Sequence, residues 1–391
     1  MVSHGLSDPL TRVGHHRRMP GIRAIVLVST LTLVAGVVST GVASATAVAR
    51  HRAPAVVKHA SSFLACEVTD TGGINDRSFN ASAWEGLKAA KAADPSMTIR
   101  YLSSTSSSDY VPNIATFIGD HCGIIITVGF LMGPATEAAA KAHPKQDFAI
   151  VDYSYTPPIK NIDSLLYETN QDAFLGGFLA AAMSRTGKVG TFGGEDIPTV
   201  TIYMDGWVAG VRYFDKVDHK HVVALGWTPK PTRPKGSFDG TGLFTGSFTS
   251  QAAGKTDATS EIQQGADDIF SVAGSVGLGA AAAVKAAGHG VTMEWVDTDG
   301  CVSAPTYCSL FITSVTKGIV ASVENAALSA AHGTFKGGNY YGTLANGGVA
   351  LSPYHDYTNV IPKALQAGLN TIKGLIIAGK ISVDPNSYPA S

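Results

Sequence analysis

Charged side chains are scarce in this sequence and show no basic excess. Only 15% of the 391 residues are Asp, Glu, Lys or Arg, and the formal net charge is -1. The first 58 residues carry seven basic side chains and one acidic one, so the rest of the chain has 22 basic and 29 acidic residues. Nucleic-acid binding depends largely on neutralising phosphates with Lys and Arg. We therefore expect no nucleic-acid partner.

Metal-binding and cofactor-binding motifs are missing as well. The 12 histidines are scattered, with no ligand pair on one predicted helix face, and no two cysteines have CxxC spacing. The segment Gly254-Lys255-Thr256 ends like a phosphate-binding loop, but Thr249 stands where that loop needs its first glycine. We predict neither a metal nor a cofactor.

The N-terminal 58 residues have the layout of an export signal. Basic residues up to Arg23 precede an apolar run that starts at Ala24, and an A-x-A pattern of small residues ends at Ala45. This order predicts a secretory signal at about residues 19–47, followed by a short tether. The uncharged stretch continues to Ala49, which exceeds the roughly 20 residues that cross a bilayer, so a retained anchor is the alternative.

The chain has only four cysteines, and an even number in an exported protein favours disulfides. Cys301 and Cys308 flank a short proline-containing loop that a disulfide would close. Cys66 and Cys122 each precede a β-type run, which would place them on neighbouring strands. Four cysteines allow three pairings, and four buried thiols are the alternative to any disulfide.

Runs of β-branched residues alternate with alanine-rich runs along the chain after the N-terminal segment. Repeated β–α units predict parallel sheets with helices on both faces. The elements are too numerous for one sheet, so the pattern predicts an α/β protein with two doubly wound lobes. It also predicts a helix over Thr313–His332 and a surface loop, rich in proline and glycine, over Gly226–Gly246.

Three aspartates stand where predicted strands end, at Asp70, Asp152 and Asp297. In open α/β sheets, ligands bind outside the carboxyl ends of the strands. These side chains are therefore candidates for a ligand site. Each of them, taken alone, also suits the cap of a following helix.

A motif like the nucleophile elbow of serine hydrolases surrounds Ser275, with alanine in place of the first glycine. The acid and the histidine of such an enzyme would come from Asp297 or Asp299 and from His332 or His355. The same residues also suit a glycine turn whose backbone N–H groups face a ligand at a helix N-terminus. The histidines lie in no recognisable motif, which favours the turn and predicts no catalytic residue.

The richest segment joins the first predicted strand to the first helix and reads Asp70-Thr71-Gly72-Gly73-Ile74-Asn75-Asp76-Arg77-Ser78-Phe79-Asn80. Two glycines permit a sharp turn, and Asp76 or Ser78 can cap the helix. This segment resembles the basic membrane protein family of ABC transporter substrate-binding proteins, which includes the purine nucleoside receptor lipoproteins. Members of that family carry a similar Asp-x-Gly-Gly-x-x-Asp-x-Ser-Phe-Asn segment.

The resemblance extends over about residues 63–370 in the order expected for the family. Further matching segments are Phe148–Asp152, Glu168–Ala182, Gly187–Gly194, Gly246–Phe248, Val272–Gly274, Asp297–Asp299 and Thr313–Lys317. The chain departs from the family pattern in its missing lipoprotein motif, its four cysteines and its proline-rich loop. These departures put the mode of membrane attachment and the rim of the cleft in doubt.

The resemblance implies that the ligand is a nucleoside, with a purine expected as its base. Phe79 from one lobe and Phe248 from the other would then sandwich the planar base, since base–aromatic stacking contributes about 1–3 kcal/mol per ring. Asp70 and Asn80 would hydrogen-bond the edge of the base. Without the resemblance, both phenylalanines suit packing near the hinge equally well.

The sugar would lie among charged groups. The resemblance implies that Asp152, Asp297 and Lys317 hold the ribose hydroxyls and that Gly274 offers its backbone. Carboxylates are strong acceptors for hydroxyl groups, and Asp–Lys pairing offsets the cost of burying charge. A cleft with two or three carboxylates disfavours phosphate, which predicts a nucleoside rather than a nucleotide.

The implied architecture is a type I periplasmic-binding fold, with two doubly wound parallel-sheet lobes joined by a three-strand hinge. Residues 1–58 form the signal or anchor and tether. Lobe 1 is expected to hold residues 61–170 and about 297–345, and lobe 2 to hold 171–296 and about 346–391.

The expected function is ligand capture by hinge closure, without making or breaking a bond, followed by delivery to an ABC permease. We expect an exported monomer on the outer face of the membrane or free in the medium. A secreted hydrolase using Ser275 and a membrane-anchored sensor of the same fold are the alternatives.

Overall fold

Two six-stranded sheets organise the computed structural model, which describes residues 63–234 and 236–389. These residues belong to one compact unit, His59–Ser391. The strands are β1 (Leu64–Val68), β2 (Thr98–Leu102), β3 (Ile124–Val128), β4 (Asp147–Val151), β5 (Ile162–Tyr167), β6 (Lys188–Gly193), β7 (Val223–Leu225), β8 (Trp227–Pro229), β9 (Gly240–Gly242), β10 (Asp268–Val272), β11 (Thr292–Asp297), β12 (Phe311–Lys317), β13 (Gly338–Gly342) and β14 (Val349–Leu351).

Helices connect most of the parallel strands and cover the faces of both sheets. The helices are α1 (Phe79–Ala93), α2 (Tyr110–Gly119), α3 (Gly133–Ala142), α4 (Thr169–Met183), α5 (Pro198–Asp218), α6 (Gln251–Gln263), α7 (Val276–Ala287), α8 (Gly300–Ser303), α9 (Ile319–Ala331) and α10 (Lys363–Ile377). Short 3₁₀ turns cover Ser107–Asp109, Phe130–Met132, Pro305–Leu310, His355–Tyr357 and Pro385–Ser387.

The first sheet has the strand order β13-β5-β4-β3-β1-β2, with every neighbouring pair parallel. The second has the order β14-β12-β11-β10-β6-β7 and is parallel except for β14. Every residue of the central strands β3 and β10 is buried, as expected for parallel strands with helices on both faces. The prediction of two doubly wound α/β lobes is confirmed.

Three short crossovers join the two sheets, as the sequence analysis predicts for the hinge. They follow β5, β12 and β13, and they lie side by side. Glu168 N–H donates to the Gly342 carbonyl at 2.8 Å, and Gly318 N–H donates to the Gly348 carbonyl at 2.8 Å. These hydrogen bonds tie the crossovers into one narrow band between the lobes.

Strand β12 requires two corrections to the sequence analysis. The helix expected over Thr313–His332 is wrong at its start, because β-branched Thr313, Val315 and Thr316 form a strand and the helix begins at Ile319. The expectation that lobe 1 holds about residues 297–345 is also wrong at its start. Strand β12 pairs with β11 and therefore belongs to the second sheet. The chain returns to the first lobe with α9, which packs against α1, and with β13.

Its composition predicts that the segment Gly226–Gly246 is a surface loop, but part of it is β-structure. Strands β8 and β9 form a small antiparallel ribbon within it. Trp227 begins this ribbon, is 3% exposed and donates from Nε1 to Asp205 Oδ1 at 2.7 Å. Burial of the indole explains why a proline-rich stretch has a fixed position here.

Disulfides join Cys66 to Cys122 and Cys301 to Cys308. The first links β1 to the segment just before β3, and these two strands are neighbours in the sheet. The second joins cysteines that are seven positions apart and closes the loop between them. The prediction of disulfides is confirmed, and the structure selects one of the three possible pairings.

The predicted signal or anchor at about residues 19–47 lies outside the described residues. Within the described part of the chain, we find no helix that combines the length and the apolar character needed to span a bilayer.

Candidate functional site

A cavity between the two lobes brings together every residue that the sequence analysis proposes for the ligand site. The eight residues on its wall are Asp70, Phe79, Asn80, Asp152, Phe248, Gly274, Asp297 and Lys317. They come from the carboxyl ends of strands in both sheets, from the start of α1 and, for Phe248, from the segment that precedes α6. This is the position at which open α/β sheets bind ligands.

The turn after β1 is held by its own carboxylates. Asp70 Oδ1 accepts hydrogen bonds from Asn80 Nδ2 at 2.8 Å and from Gly72 N–H at 2.9 Å. Asp76 accepts from the N–H groups of Ser78, Asn80 and Ala81 at 2.7–3.0 Å. Asp76, rather than Ser78, therefore accepts hydrogen bonds from the free backbone N–H groups at the start of α1, and it positions Phe79 and Asn80.

Burial changes the acidity of these carboxyl groups. It raises the pKa of Asp70 to about 7, although its hydrogen bonds with Asn80 and Gly72 act in the opposite direction. It also raises the pKa of Asp76 to about 6, again against the hydrogen bonds that the carboxylate accepts. Loss of hydration penalises the charged form of both groups. Asp70 consequently titrates near neutral pH at the wall of the cavity.

Lys317 lies at the end of β12 and connects the two lobes electrostatically. Its Nζ is 2.5 Å from Asp152 Oδ2 in the first lobe and 3.6 Å from Asp297 Oδ1 in the second. Burial lowers the pKa of Lys317, but the two carboxylates more than compensate, so that its pKa is raised overall. The ammonium group also lies 4.9 Å from the ring centroid of Phe79 and 5.1 Å from that of Tyr203.

Asp152 and Asp297 share an unusual backbone conformation. Their φ angles are 68° and 66°, in the left-handed region that non-glycine residues rarely adopt. They occupy equivalent places, directly after β4 and at the end of β11. Strained residues of this kind cluster at functional sites, and here the strain directs two carboxylates towards one lysine.

Direct hydrogen bonds across the cleft hold the lobes together. Ser78 Oγ contacts the Val296 carbonyl and Asp297 Oδ2, each at 2.9 Å. Trp295 Nε1 donates to the Arg77 carbonyl at 3.3 Å. Since Arg77 and Ser78 precede α1 in the first lobe and the other residues lie on β11 in the second, the described conformation is closed.

The environment of Ser275 differs from that of a hydrolase nucleophile. Its Oγ donates to the Phe248 carbonyl at 2.9 Å, which directs the hydroxyl proton to a backbone acceptor rather than to a base. His355, one of the two candidate histidines, pairs through Nε2 with Asp299 Oδ2 at 2.7 Å. Gly274 has a φ angle of 55°, as the glycine-turn interpretation requires. Ser275 thus fixes the backbone that carries Phe248.

One group in the described part of the chain brings possible metal ligands together. Potential ligand atoms of Asp299, Cys301 and His355 lie within 4.8 Å of one another. The Cys301 sulfur is bonded to Cys308, however, and is not a thiolate. The Cys301–Cys308 disulfide and the contact between His355 and Asp299 instead hold a surface loop in place.

Sequence reasoning missed several residues on the cavity wall. The additional lining residues are Gly72, Asp76, Gly129, Phe130, Leu131, Ile197, Thr199, Val200, Tyr203, Val272 and Ala273. Phe130 follows β3, and Ile197 lies between β6 and α5. Because ligands bind outside the carboxyl ends of strands, the sequence offered a signal for this part of the wall. Tyr203 lies inside α5 and donates to Asp297 Oδ1 at 3.1 Å. No sequence signal distinguishes it from an ordinary core aromatic residue.

Comparison with known proteins places this arrangement in a family. The family model described as PnrA-like ABC transporter substrate-binding protein, Bmp, matches residues 63–232 and 243–387. A nucleoside-binding protein of an ABC transporter, BmpA of Lactococcus lactis, is 32% identical over 337 residues, which cover 81% of this chain and 87% of the relative. Basic membrane protein A1 of Borrelia garinii is 28% identical, over 81% and 86% of the two chains.

Solved structures show the same architecture. An ABC transporter solute-binding protein from Aeropyrum pernix superimposes with a TM-score of 0.71 at 24% identity, covering 82% of this chain and 92% of the other. The predicted periplasmic-binding fold and the predicted family are thereby confirmed. The two-lobed fold, the matched family model and the shared sequence together show that this chain belongs to the PnrA-like, or Bmp, family of ABC transporter substrate-binding proteins.

Proposed function

We propose that this protein captures a nucleoside, with a purine base, between its two lobes and delivers it to an ABC permease. The convergence of Phe79 and Phe248, from different lobes, on one cavity carries this proposal. Aromatic rings on the two sides of a cleft suit a flat base, because stacking contributes about 1–3 kcal/mol per ring. The relative from Lactococcus lactis, named as nucleoside-binding, supports the same ligand class.

The polar groups in the cavity match the two ends of a nucleoside. Asp70 follows β1, Asn80 lies in the first turn of α1, and both line the cavity. Their side chains suit the hydrogen-bonding edge of a base. Asp152, Asp297 and Lys317 offer acceptors and a donor to sugar hydroxyls.

A phosphate group fits this cavity poorly. Lys317 is the cation on the cavity wall among the described residues, and it already pairs with two carboxylates. A phosphate would face the carboxylates of Asp152 and Asp297 without a free positive charge to compensate. The charge distribution therefore favours a nucleoside over a nucleotide.

Binding requires movement of the lobes. The cavity has a volume of about 50 Å³ in the described conformation, whereas pockets for small molecules hold about 300–1,000 Å³. A nucleoside enters when the lobes part about the three crossovers, and the groups from both lobes converge on it when they close. The closed form then presents a surface that the permease recognises.

The protein acts outside the cytoplasmic membrane in this proposal, as an exported monomer. The basic, apolar and small-residue order of its N-terminal segment supports export. The segment is either removed as a signal or retained as an anchor.

Calorimetry of the purified protein with adenosine, guanosine, inosine, cytidine, ribose and amino acids tests the ligand class. We expect a purine nucleoside to bind and to raise the apparent stability by about 2.7 kcal/mol at a hundredfold excess over Kd. Phe79→Ala is expected to weaken binding by roughly 5–150-fold, through loss of about 1–3 kcal/mol of stacking.

Tyr341→Ala serves as the matched control, because Tyr341 is 48% exposed and lies outside the cavity. It should leave the affinity unchanged. Binding of a sugar or an amino acid, without any nucleoside binding, would contradict the proposed ligand and leave the family assignment intact.

A further inference from the structure

A second cavity adjoins the one described above. Its volume is about 340 Å³, and it shares four wall residues with the first cavity. These four are Phe130, Asp152, Thr199 and Lys317. The second cavity therefore begins at the Asp152–Lys317 pair, where the proposed sugar end of the ligand lies.

The second cavity has a wall that the family model does not account for. The match to the family is interrupted at residues 233–242, and Phe238 in that interval lines the cavity. The other walls come from the carboxyl ends of β3, β4, β5 and β12 and from the N-terminal turns of α4 and α5. A segment outside the family match thus completes a compartment next to the ligand site.

The segment that carries Phe238 is anchored on both sides. The Arg233 side chain is 6% exposed, forms an ion pair with the buried Asp205 of α5 and lies 3.1 Å from Asp384 Oδ1. Its Nη1 donates to the Asp239 carbonyl at 3.2 Å. Backbone pairing of Lys230 with Asp239 at 2.9 Å closes the ribbon. These contacts give Phe238 a defined position.

The chemistry of the lining defines what the second cavity accepts. Its surface is mainly apolar and aromatic, and the remaining polar atoms are mostly hydroxyl groups. The apolar and aromatic side chains include Tyr153, Leu166, Tyr167, Pro198, Ile202 and Phe238. Its charged residues are Asp152 and Lys317, which neutralise one another at 2.5 Å. Such a surface favours uncharged apolar groups and disfavours phosphates.

We propose that the second cavity is a subsite for an uncharged, apolar substituent on the sugar of the bound nucleoside, with Phe238 as its specificity-determining wall. This inference rests on the proposed nucleoside-binding function and narrows it to sugar-modified nucleosides. The base and the sugar occupy the first cavity after lobe movement has widened it, and the substituent passes the Asp152–Lys317 pair into the second.

Calorimetry with two series of adenosine derivatives tests the subsite. One series carries methyl, ethyl and butyl thioethers at the 5′ carbon, and the other carries the same alkyl groups as ethers at the 3′ oxygen. We expect affinity to increase along one of the two series, by up to about fourfold per buried methylene group. Derivatives alkylated on the base nitrogen N6 and adenosine 5′-monophosphate should bind more weakly than adenosine.

Phe238→Ala should flatten the increase along the favoured series without changing the affinity for adenosine. Phe238→Trp, which narrows the compartment, should lower the affinity for the butyl derivative and spare adenosine. Tyr341→Ala, an exposed aromatic residue outside both cavities, should preserve the increase.

The outcomes separate this inference from the function on which it rests. Adenosine binding without a gain along either series overturns the subsite and preserves nucleoside binding. A gain that persists unchanged in both Phe238 variants also overturns the assignment of Phe238. If neither adenosine nor any derivative binds, both the subsite and the proposed function are wrong.

Discussion

Asp70 is a buried carboxyl on the cavity wall with a pKa raised to about 7, so its charge changes within the physiological range. Both protein hydrogen bonds found for its carboxylate in the described residues reach Oδ1, which leaves Oδ2 for a ligand. An ionised carboxylate accepts the N1–H group of guanine or hypoxanthine, whereas the N1 of adenine needs a donor. The identity of the base is therefore coupled to the protonation of Asp70.

The expected pH dependence follows from this coupling. A ligand that requires the ionised form loses affinity below the pKa, so guanosine or inosine affinity should fall about tenfold per pH unit below about 7. Adenosine affinity should instead fall as pH rises above about 7, because only protonated Asp70 donates to N1. Calorimetry between pH 5.5 and 8.5 (roughly 1.5 units on either side of this pKa) measures both trends.

Asp70→Asn is the control for the pH dependence, because an amide has no proton to lose in this range. Its affinity for either class of purine should be nearly constant with pH above about 7, because the pKa of Asp76, the other titrating carboxyl near this site, is about 6 and this group stays ionised there. A pH profile that is the same in Asp70→Asn and in the unmodified protein would show that another group is responsible.

The three crossovers are the elements on which lobe movement depends, and the tight path of the one that follows β13 requires glycine. A Cβ on Gly348 would collide with the Cα of Gly342 at the other end of the same crossover. Gly348→Ala should therefore lower the free energy of unfolding by roughly 1–3 kcal/mol, a typical cost of overpacking. Chemical denaturation measures the change, and nucleoside affinity should also decrease because the hinge is displaced.

Gly368→Ala provides a control of opposite sign. Gly368 lies within α10, and a Cβ there would meet no atom within 4 Å. Alanine in a helix interior is more favourable than glycine by roughly 0.5–1 kcal/mol, so this variant should be stabilised. Equal destabilisation by both substitutions would contradict a specific role for the hinge glycine.

Elements with strong local patterns were predictable, and those defined by partners were not. The alternation of β-branched and alanine-rich runs predicted parallel sheets covered by helices, and the buried strand β3 and the alanine-rich helix α1 follow this pattern. Strand β12 was mistaken for a helix start, since its seven residues acquire their conformation by pairing with β11. The short strands β13 and β14 are defined by hydrogen bonding to strands distant in the sequence, which a local pattern does not specify.

At the scale of the whole molecule, the position of the lobes is set by a small number of contacts across the cleft. Ser78 links them through one hydroxyl proton that the Val296 carbonyl and the Asp297 carboxylate share as acceptors. A net hydrogen bond is worth about 1 kcal/mol, or roughly fivefold in an equilibrium constant. Ser78→Ala should therefore shift the population towards open forms and weaken nucleoside binding by about fivefold or more.

Small-angle scattering and calorimetry together test this population shift. The radius of gyration should be larger in Ser78→Ala than in the unmodified protein, and saturating nucleoside should bring the two values together. Ser82→Ala is the matched control, because its hydroxyl bonds within lobe 1, to the Ser78 carbonyl at 2.5 Å. Reduced affinity with an unchanged radius of gyration would argue for a local effect of Ser78 instead.

The sequence by itself determined the fold class and the family, and it marked Asp70, Asp152 and Asp297 as candidate site residues because strand ends are encoded locally. The other five candidate site residues followed only from the resemblance to that family. Only the tertiary structure decided the pairing of the cysteines, the place of β12 in the second sheet and the presence of Tyr203 on the cavity wall. It also joined Phe238 to a second cavity through the Arg233–Asp205 ion pair. These features depend on contacts between residues far apart in the chain, which no local pattern of side chains specifies.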